Sequence, residues 1–223
     1  MLSFHDFFAS CSGLWMTERT YHFVERDEIE RSHTEFRVSV LDSAAKRQIL
    51  GDSAFSGSSL GPRSGPLTLV QEPETATQEC PGFAIAFDTV SERGERVSMQ
   101  LNALFVPDAC VAKTDDPEEL LQEMLTVPGA SAVSATDAEV VRGYYLRDAG
   151  YSEAGAIAGR FTYQPTRQTL EMTTFYNRSI AVDQMRFVAP MVRMRTIVTY
   201  RRPAAGDIPT QIDLIGFGVE HKQ

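Results

Sequence analysis

The chemistry this sequence offers is carried mainly by arginine and carboxylate. Arg193 and Arg195 lie two apart in Val192-Arg193-Met194-Arg195-Thr196, a spacing that puts both on one face of a strand. Met191 and Ile197 share that face, and Val192, Met194, Thr196, Val198 and Tyr200 make the other. Neither face is plainly the wet one. On spacing alone, solvent is the ordinary place for the two arginines, because arginine is rarely buried unpaired. The alternative puts them inside a barrel, where they need anionic partners. Arg19, in Thr17-Glu18-Arg19-Thr20, is a second inward candidate, and Asp183, on the strand before the arginines, is a third. Such an inward set describes a cavity for an amphipathic anion with an apolar body.

A different chemistry is suggested by Gly57-Ser58-Ser59-Leu60-Gly61, which matches G-x-S-x-G. A Ser hydrolase using Ser59 requires that motif on a strand-to-helix turn. Pro62, Gly65 and Pro66 follow and bar a helix, and only His221 lies downstream to act as base. The histidines His5, His22, His33 and His221 form no ligand spacing, so no metal site is expected. Cys11, Cys80 and Cys110 are an odd count without a C-x-x-C pair, which argues against a disulfide framework and a zinc site. That usage fits a reducing compartment.

The elements that position these residues are mostly strands. Ser3 to Leu14 spaces its apolar residues as a helix, with Ser3 and Asp6 as a capping pair. From Trp15 the period becomes two. Strands are expected over 15–24, 34–41, 83–89, 96–106, 140–146, 156–164, 168–177, 181–188, 191–201 and 210–220, with 25–31 a charged connection. Short strands about ten residues apart, with few helices, argue an antiparallel sandwich or barrel. Two segments break the rhythm. Residues 51–81 are rich in Ser, Gly, Pro and Thr, and residues 107–139 are acidic and Ala-rich. Both read as long loops, the second holding one short helix that starts at Asp116-Pro117.

Composition closes off other classes. The 223 residues are 43% hydrophobic and 23% charged, ordinary globular values. The net charge of −9 (21 Lys+Arg against 30 Asp+Glu) argues against nucleic-acid binding, which needs a surplus of cations. No stretch approaches 18 apolar residues, so no membrane span is expected. Phe7–Met16 has no basic flank and does not read as a signal peptide.

Four motifs together resemble the S-type (CpcS/CpeS/CpeU) phycobiliprotein lyases. Phe7-Phe8-Ala9-Ser10-Cys11-Ser12-Gly13-Leu14-Trp15, with Glu18-Arg19-Thr20 and His22 after it, is similar to the family's opening helix and first strand. Leu146-Arg147-Asp148-Ala149-Gly150-Tyr151-Ser152-Glu153 matches the central L-R-D-x-G-Y-x-E. Asp183 to Thr196 stands for E-R-I-W-F-V-x-x-N-L-R-L-R-T, and Phe217 to Lys222 for the closing F-C-S-E-I-R. The chain departs from the pattern where Asp183 replaces Glu, Arg186 replaces Trp, and Phe87 stands in the place of a second Trp.

The resemblance implies an all-β fold: a ten-stranded antiparallel β-barrel of the lipocalin and fatty-acid-binding (calycin-like) type, with an N-terminal helix. Residues 1–223 are then a single bilin-binding domain with the two long loops. It implies an enzyme that binds a linear tetrapyrrole (phycocyanobilin or phycoerythrobilin) and joins it by a thioether to a cysteine of a phycobiliprotein α or β subunit. A carrier or chaperone of the same fold, binding without transfer, is the alternative. Asp183 and Glu220 take the acidic, catalytic positions. Arg19, Arg193, Arg195, Phe87 and Tyr151 bind the bilin, the arginines turning inward to its propionates, and the ten-residue spacing sets Arg193 against Asp183. No permanently bound cofactor is implied. Assembly as a homodimer or with a related lyase, in a cyanobacterial cytoplasm or an algal plastid stroma, completes the expectation.

Overall fold

A computed structural model describes residues 1–51, 69–70, 78–112, 127, 139–150, 155–203 and 207–223. Ser59, Tyr151, the helix expected near Asp116, and most of both long segments lie outside the described residues. Ten strands alternate inward and outward side chains: β1 (Gly13–Phe23), β2 (Glu28–Val40), β3 (Gly82–Ser91), β4 (Arg96–Pro107), β5 (Val141–Arg147), β6 (Ile157–Gln164), β7 (Thr169–Phe175), β8 (Ser179–Ala189), β9 (Val192–Arg201) and β10 (Ile212–Lys222). Each pairs antiparallel with its sequence neighbour, and β1 also pairs with β10, closing the barrel without an edge.

β2 begins at Glu28, so part of the charged stretch expected as a connection is strand. Charge does not oppose it there, because Glu28, Glu30 and Arg31 sit at the rim with water beside them. The turn needs only Val24–Arg26 and Asp27, the latter at φ 49°. The β6–β7 turn repeats the shape with Pro165–Arg167 and Gln168 at φ 50°.

One end of the barrel is stoppered by α1 (Phe4–Cys11), whose N-cap Ser3 accepts from the Asp6 amide. Phe7, Phe8 and Cys11 form its buried face. Phe7 meets Phe187 and Tyr163, and Phe8 meets Phe83 and Phe105, with ring centroids 4.6–5.4 Å apart. Trp15, Phe161 and Leu170 complete this floor.

A second helix, α2 (Ser43–Gly51), was not expected from the sequence. Asp42 caps it, accepting from the Ala45 amide at 2.8 Å. It joins an outer cluster in which Ile49 packs with Leu41, Cys80, Leu104, Val106, Cys110, Leu146 and Ala158. Cys80 and Cys110, inside the stretches expected as loops, are therefore core residues. All three cysteines are free thiols.

Candidate functional site

Barrel register stacks the inward polar residues in three tiers. Nearest the α1 floor, Arg193 faces Glu220, then Thr17, then Thr34. One tier up, Arg195 faces Gly218, then Arg19, then Ser32. Above that, Asp183 faces Ile197, then Gly216, then Tyr21. Five strands thus bring residues from both ends of the chain onto one patch of inner wall.

The lowest tier is the most enclosed. Glu220 has no exposed surface and Arg193 is 3% exposed. The Arg193 Nε donates to Glu220 Oε2, and the Arg19 guanidinium donates to Oε1 at 3.2 Å. Burial alone raises a carboxyl pKa, but Arg193, Arg195 and Arg19 outweigh it and hold Glu220 down at about 2. The Arg193 guanidinium lies 4.1 Å over the Trp15 ring, and that of Arg19 lies 4.5 Å over Phe36. Trp15 in turn donates its indole N–H to the Cys11 carbonyl at 2.8 Å, tying the charged tier to α1. The Cys11 thiol, pushed up to about 11 by burial with Arg193 partly offsetting, stays protonated.

The upper pair is a fork. Arg195 Nε donates to both Asp183 oxygens, at 2.9 and 3.1 Å, and its Nη2 also meets Asp183 Oδ2. Asp183 therefore belongs to Arg195, not to Arg193 as the ten-residue spacing suggested. Asp183 sits opposite Ile197, so its inward neighbour two residues back along β9 is Arg195, and the register shift between Phe187 and Ala189 is what puts the two on one face.

The structure places Arg19, Arg193, Arg195, Asp183 and Glu220 together inside the barrel, which decides the inner against the outer face for both arginines. Phe87 joins them on the facing wall, between Phe36 and Met99 in register and 5.9 Å from the Phe36 ring. His221 points outward and takes no part. Tyr151 lies outside the described residues.

Sequence reasoning missed three contributors. Tyr21 accepts from Arg19 at 3.1 Å. Gly216 and Gly218 stand on the inner wall where other strands carry side chains. A Cβ at Gly218 meets the Glu18 carbonyl at 2.8 Å and the Arg19 Cγ at 3.2 Å, and one at Gly216 meets the Tyr21 ring at 2.7 Å. The alternation Gly216-Phe217-Gly218 was the available signal. Beside the arginines, Phe36, Val38, Phe83, Ile85, Tyr145, Met172 and Met185 wall a cavity of about 20 Å³, room for a water-sized group. The charged tiers therefore rest on a packed apolar floor.

Chemically, this is a site for an anion with an apolar body. Among the described residues of the cluster, three guanidiniums meet two carboxylates, so the set is cationic. No group of His, Cys, Asp and Glu suited to a metal occurs among the described residues. No helix among them is long and apolar enough to cross a membrane.

Comparison with known proteins agrees with this architecture. A family model described as CpeS-like protein matches residues 3–56 and 122–223. Chromophore lyase CpcS/CpeS 1 of Synechococcus sp. (strain JA-3-3Ab) is 36% identical over 219 residues, covering 98% of this chain and 96% of that protein. The S-type phycobiliprotein lyase CPES structure from Guillardia theta superposes with a TM-score of 0.61 at 18% identity, over 100% of this chain and 93% of that one, a likeness of fold. With a closed ten-stranded barrel, a family model spanning most of its length and a curated relative aligned nearly end to end, the chain belongs to the CpeS-like family.

Proposed function

We propose that this protein is a chromophore lyase that attaches a linear tetrapyrrole to a phycobiliprotein. The observation that carries the reading is the cationic arginine–carboxylate cluster on the inner wall, above an apolar floor. A bilin offers that cluster two propionates and a flat apolar body. Arg19 and Arg195 are the guanidiniums nearer the open end, and each can take a propionate oxygen in a charge-assisted bond. Arg193, locked to Glu220 beneath them, positions the tier. Phe87 on β3 faces the ring system beside Phe36, whose ring lies under the Arg19 guanidinium.

Asp183, nearest the mouth, is the carboxylate placed to sit by the pyrrole nitrogens and stabilise a protonated bilin, which makes ring A more electrophilic. Transfer is an addition. The thiol of the acceptor cysteine gives up its proton, its sulfur bonds the exocyclic carbon of the ring A double bond, and the tetrapyrrole takes the proton. No oxidant or reductant is consumed. The enzyme's thiols are buried, in keeping with an acceptor thiol supplied by the partner. Orientation and exclusion of water are what the barrel contributes to the rate. Phycocyanobilin and phycoerythrobilin are the candidate chromophores, and the phycobiliprotein α or β subunit the acceptor, in a cyanobacterial cytoplasm or algal plastid stroma. The hydrolase alternative at Ser59 needs the strand-to-helix elbow of an α/β sheet, which a closed antiparallel barrel does not supply.

The test is co-expression with bilin-producing enzymes and a phycobiliprotein subunit, followed by denaturing electrophoresis. Covalent colour on the subunit, dependent on this protein, is the expected result. Colour that binds the protein without reaching the subunit identifies a carrier instead. Arg195→Ala is expected to weaken bilin binding roughly tenfold to a hundredfold, since a bond to a charged group contributes about 1.5–3 kcal/mol. Asp183→Asn is expected to shift the bound bilin's absorbance toward the neutral form and to slow transfer. Parent-like binding and spectra in both variants move the site elsewhere.

A further inference from the structure

Two hydroxyl groups beside Arg19 have hydrogen-bonding capacity that the fold leaves unspent. Tyr21 follows Arg19 on the inner face of β1, and its ring lies over Gly216, where a Cβ would come within 2.7 Å of Cδ1 and 2.8 Å of Cε1. The glycine thus gives the ring its place, and the phenol oxygen accepts from Arg19 Nη1 at 3.1 Å. A phenol that accepts in this way still has its own proton to donate. No acceptor takes that proton among the described residues. Ser32 faces Arg19 from β2. It is 3% exposed, and its hydroxyl has no hydrogen-bond partner among the described residues. Thr34, the next inward residue along the same strand, is equally buried but meets Thr89 Oγ1 at 2.9 Å. Buried hydroxyls are ordinarily satisfied, so an orphan calls for a guest to explain it. With a guanidinium next to it in register, that guest is an acceptor carrying negative charge.

We propose that Tyr21 and Ser32 bind one propionate of the tetrapyrrole, each giving its hydroxyl proton to the carboxylate that Arg19 holds. This rests on the bilin-lyase function proposed above and adds what the site reads, namely the ionised acid and not the ring system alone. A carboxylate has two oxygens and about four lone-pair sites, more than one guanidinium fills. Arg19 spends Nη2 on Glu220 and Nη1 on Tyr21. A guanidinium carries five N–H groups, so others remain for a ligand. The bond from Arg19 also polarises the Tyr21 hydroxyl and makes it a stronger donor. Arg195 is forked onto Asp183 and Arg193 is held by Glu220. Arg19 is the guanidinium flanked by two hydroxyls with protons to give, which makes its side of the barrel the carboxylate-selective one.

Absorbance titration of the full chain with phycocyanobilin and with its dimethyl ester tests the proposal. The ester keeps the conjugated ring system but carries no charge on either propionate side chain. The parent is expected to bind the free acid more tightly than the ester. Tyr21→Phe, which keeps the ring over Gly216, and Ser32→Ala are each expected to weaken binding of the acid roughly tenfold, as for the loss of one hydrogen bond to a charged group. Both are expected to bind the ester as the parent does. Far-UV circular dichroism establishes that each variant is folded, and should one not fold, the other decides alone. A loss equal for acid and ester marks a merely structural role and overturns the proposal. So does either variant binding the acid like the parent, or a parent that does not distinguish acid from ester. A parent that binds neither form overturns the function proposed above, and this inference with it.

Discussion

Glu220 is the residue on which the inner wall turns. It is enclosed, ionised, and answered by two guanidiniums. Removing one partner of a buried pair costs about 3–5 kcal/mol, because the other charge is left uncompensated. Glu220→Gln is therefore expected to lower stability by about that much in chemical denaturation. Glu220→Gln combined with Arg193→Met is expected to be less damaging than the single change, since only Arg19, which is partly exposed, is then left without its carboxylate. The pH dependence follows with a definite sign. Folding lowers the Glu220 pKa from 4.5 to about 2, so its contribution is complete above pH 4.5. It fades as pH falls from about 4.5 to 2. Denaturant midpoints of the parent should drop across that window, and those of Glu220→Gln should drop less. At this scale the sequence was only half legible. Residue types and the shared face of Arg193 and Arg195 were readable from the period of a strand. The pairing was not. Which arginine meets Asp183 depends on a register shift at Phe187/Ala189, and a hairpin's register cannot be counted from spacing when one residue of it is bulged.

Strands were the most legible elements, because alternation of burial is written directly in residue order. All ten were anticipated, with ends within two residues of expectation except the start of β2, which lies six residues earlier. What escaped was whatever carries no period. α2 is short, and only Ile49 on it is buried, so its apolar stripe is too thin to stand out, although Asp42 was a readable cap. Inward glycines also escaped, since a missing side chain leaves no pattern. Gly143 on β5 is such a case. A Cβ there collides with the Val106 carbonyl and lies 2.8 Å from the Pro107 Cα. β4 and β5 meet over only five paired positions, Ala103–Pro107 against Gly143–Arg147, so this contact has little redundancy. Gly143→Ala is expected to lower the thermal midpoint by several degrees, roughly 2–4 °C per kcal/mol for a chain of this size. The same substitution at Gly94, with open space around it, is expected to act only through its positive φ.

Closure is the property of the whole molecule. Strand β10 is the last element of the chain, yet it pairs with β1 and β9 and holds Glu220 between Arg193 and Thr17. Even Gln223 participates, its amide donating to the Leu14 carbonyl at 2.9 Å. Deleting residues 217–223 opens two edges at once and strips Arg193 of its counter-charge. No cooperative thermal transition is expected from that truncated chain, whereas removal of Met1 and Leu2 should leave one. The barrel is also closed on a single tryptophan. Trp15 is the one indole in the sequence, it is fully buried, and it lies directly beneath the Arg193 guanidinium. Emission from this protein under indole-selective excitation thus comes from one spot, the floor of the site. Tetrapyrroles absorb in the near ultraviolet where indoles emit, so a chromophore seated above Arg193 becomes an energy acceptor a few ångströms from its donor. The protein is in effect built with its own optical gauge, and loss of that emission on titration reads occupancy without a label or a second protein.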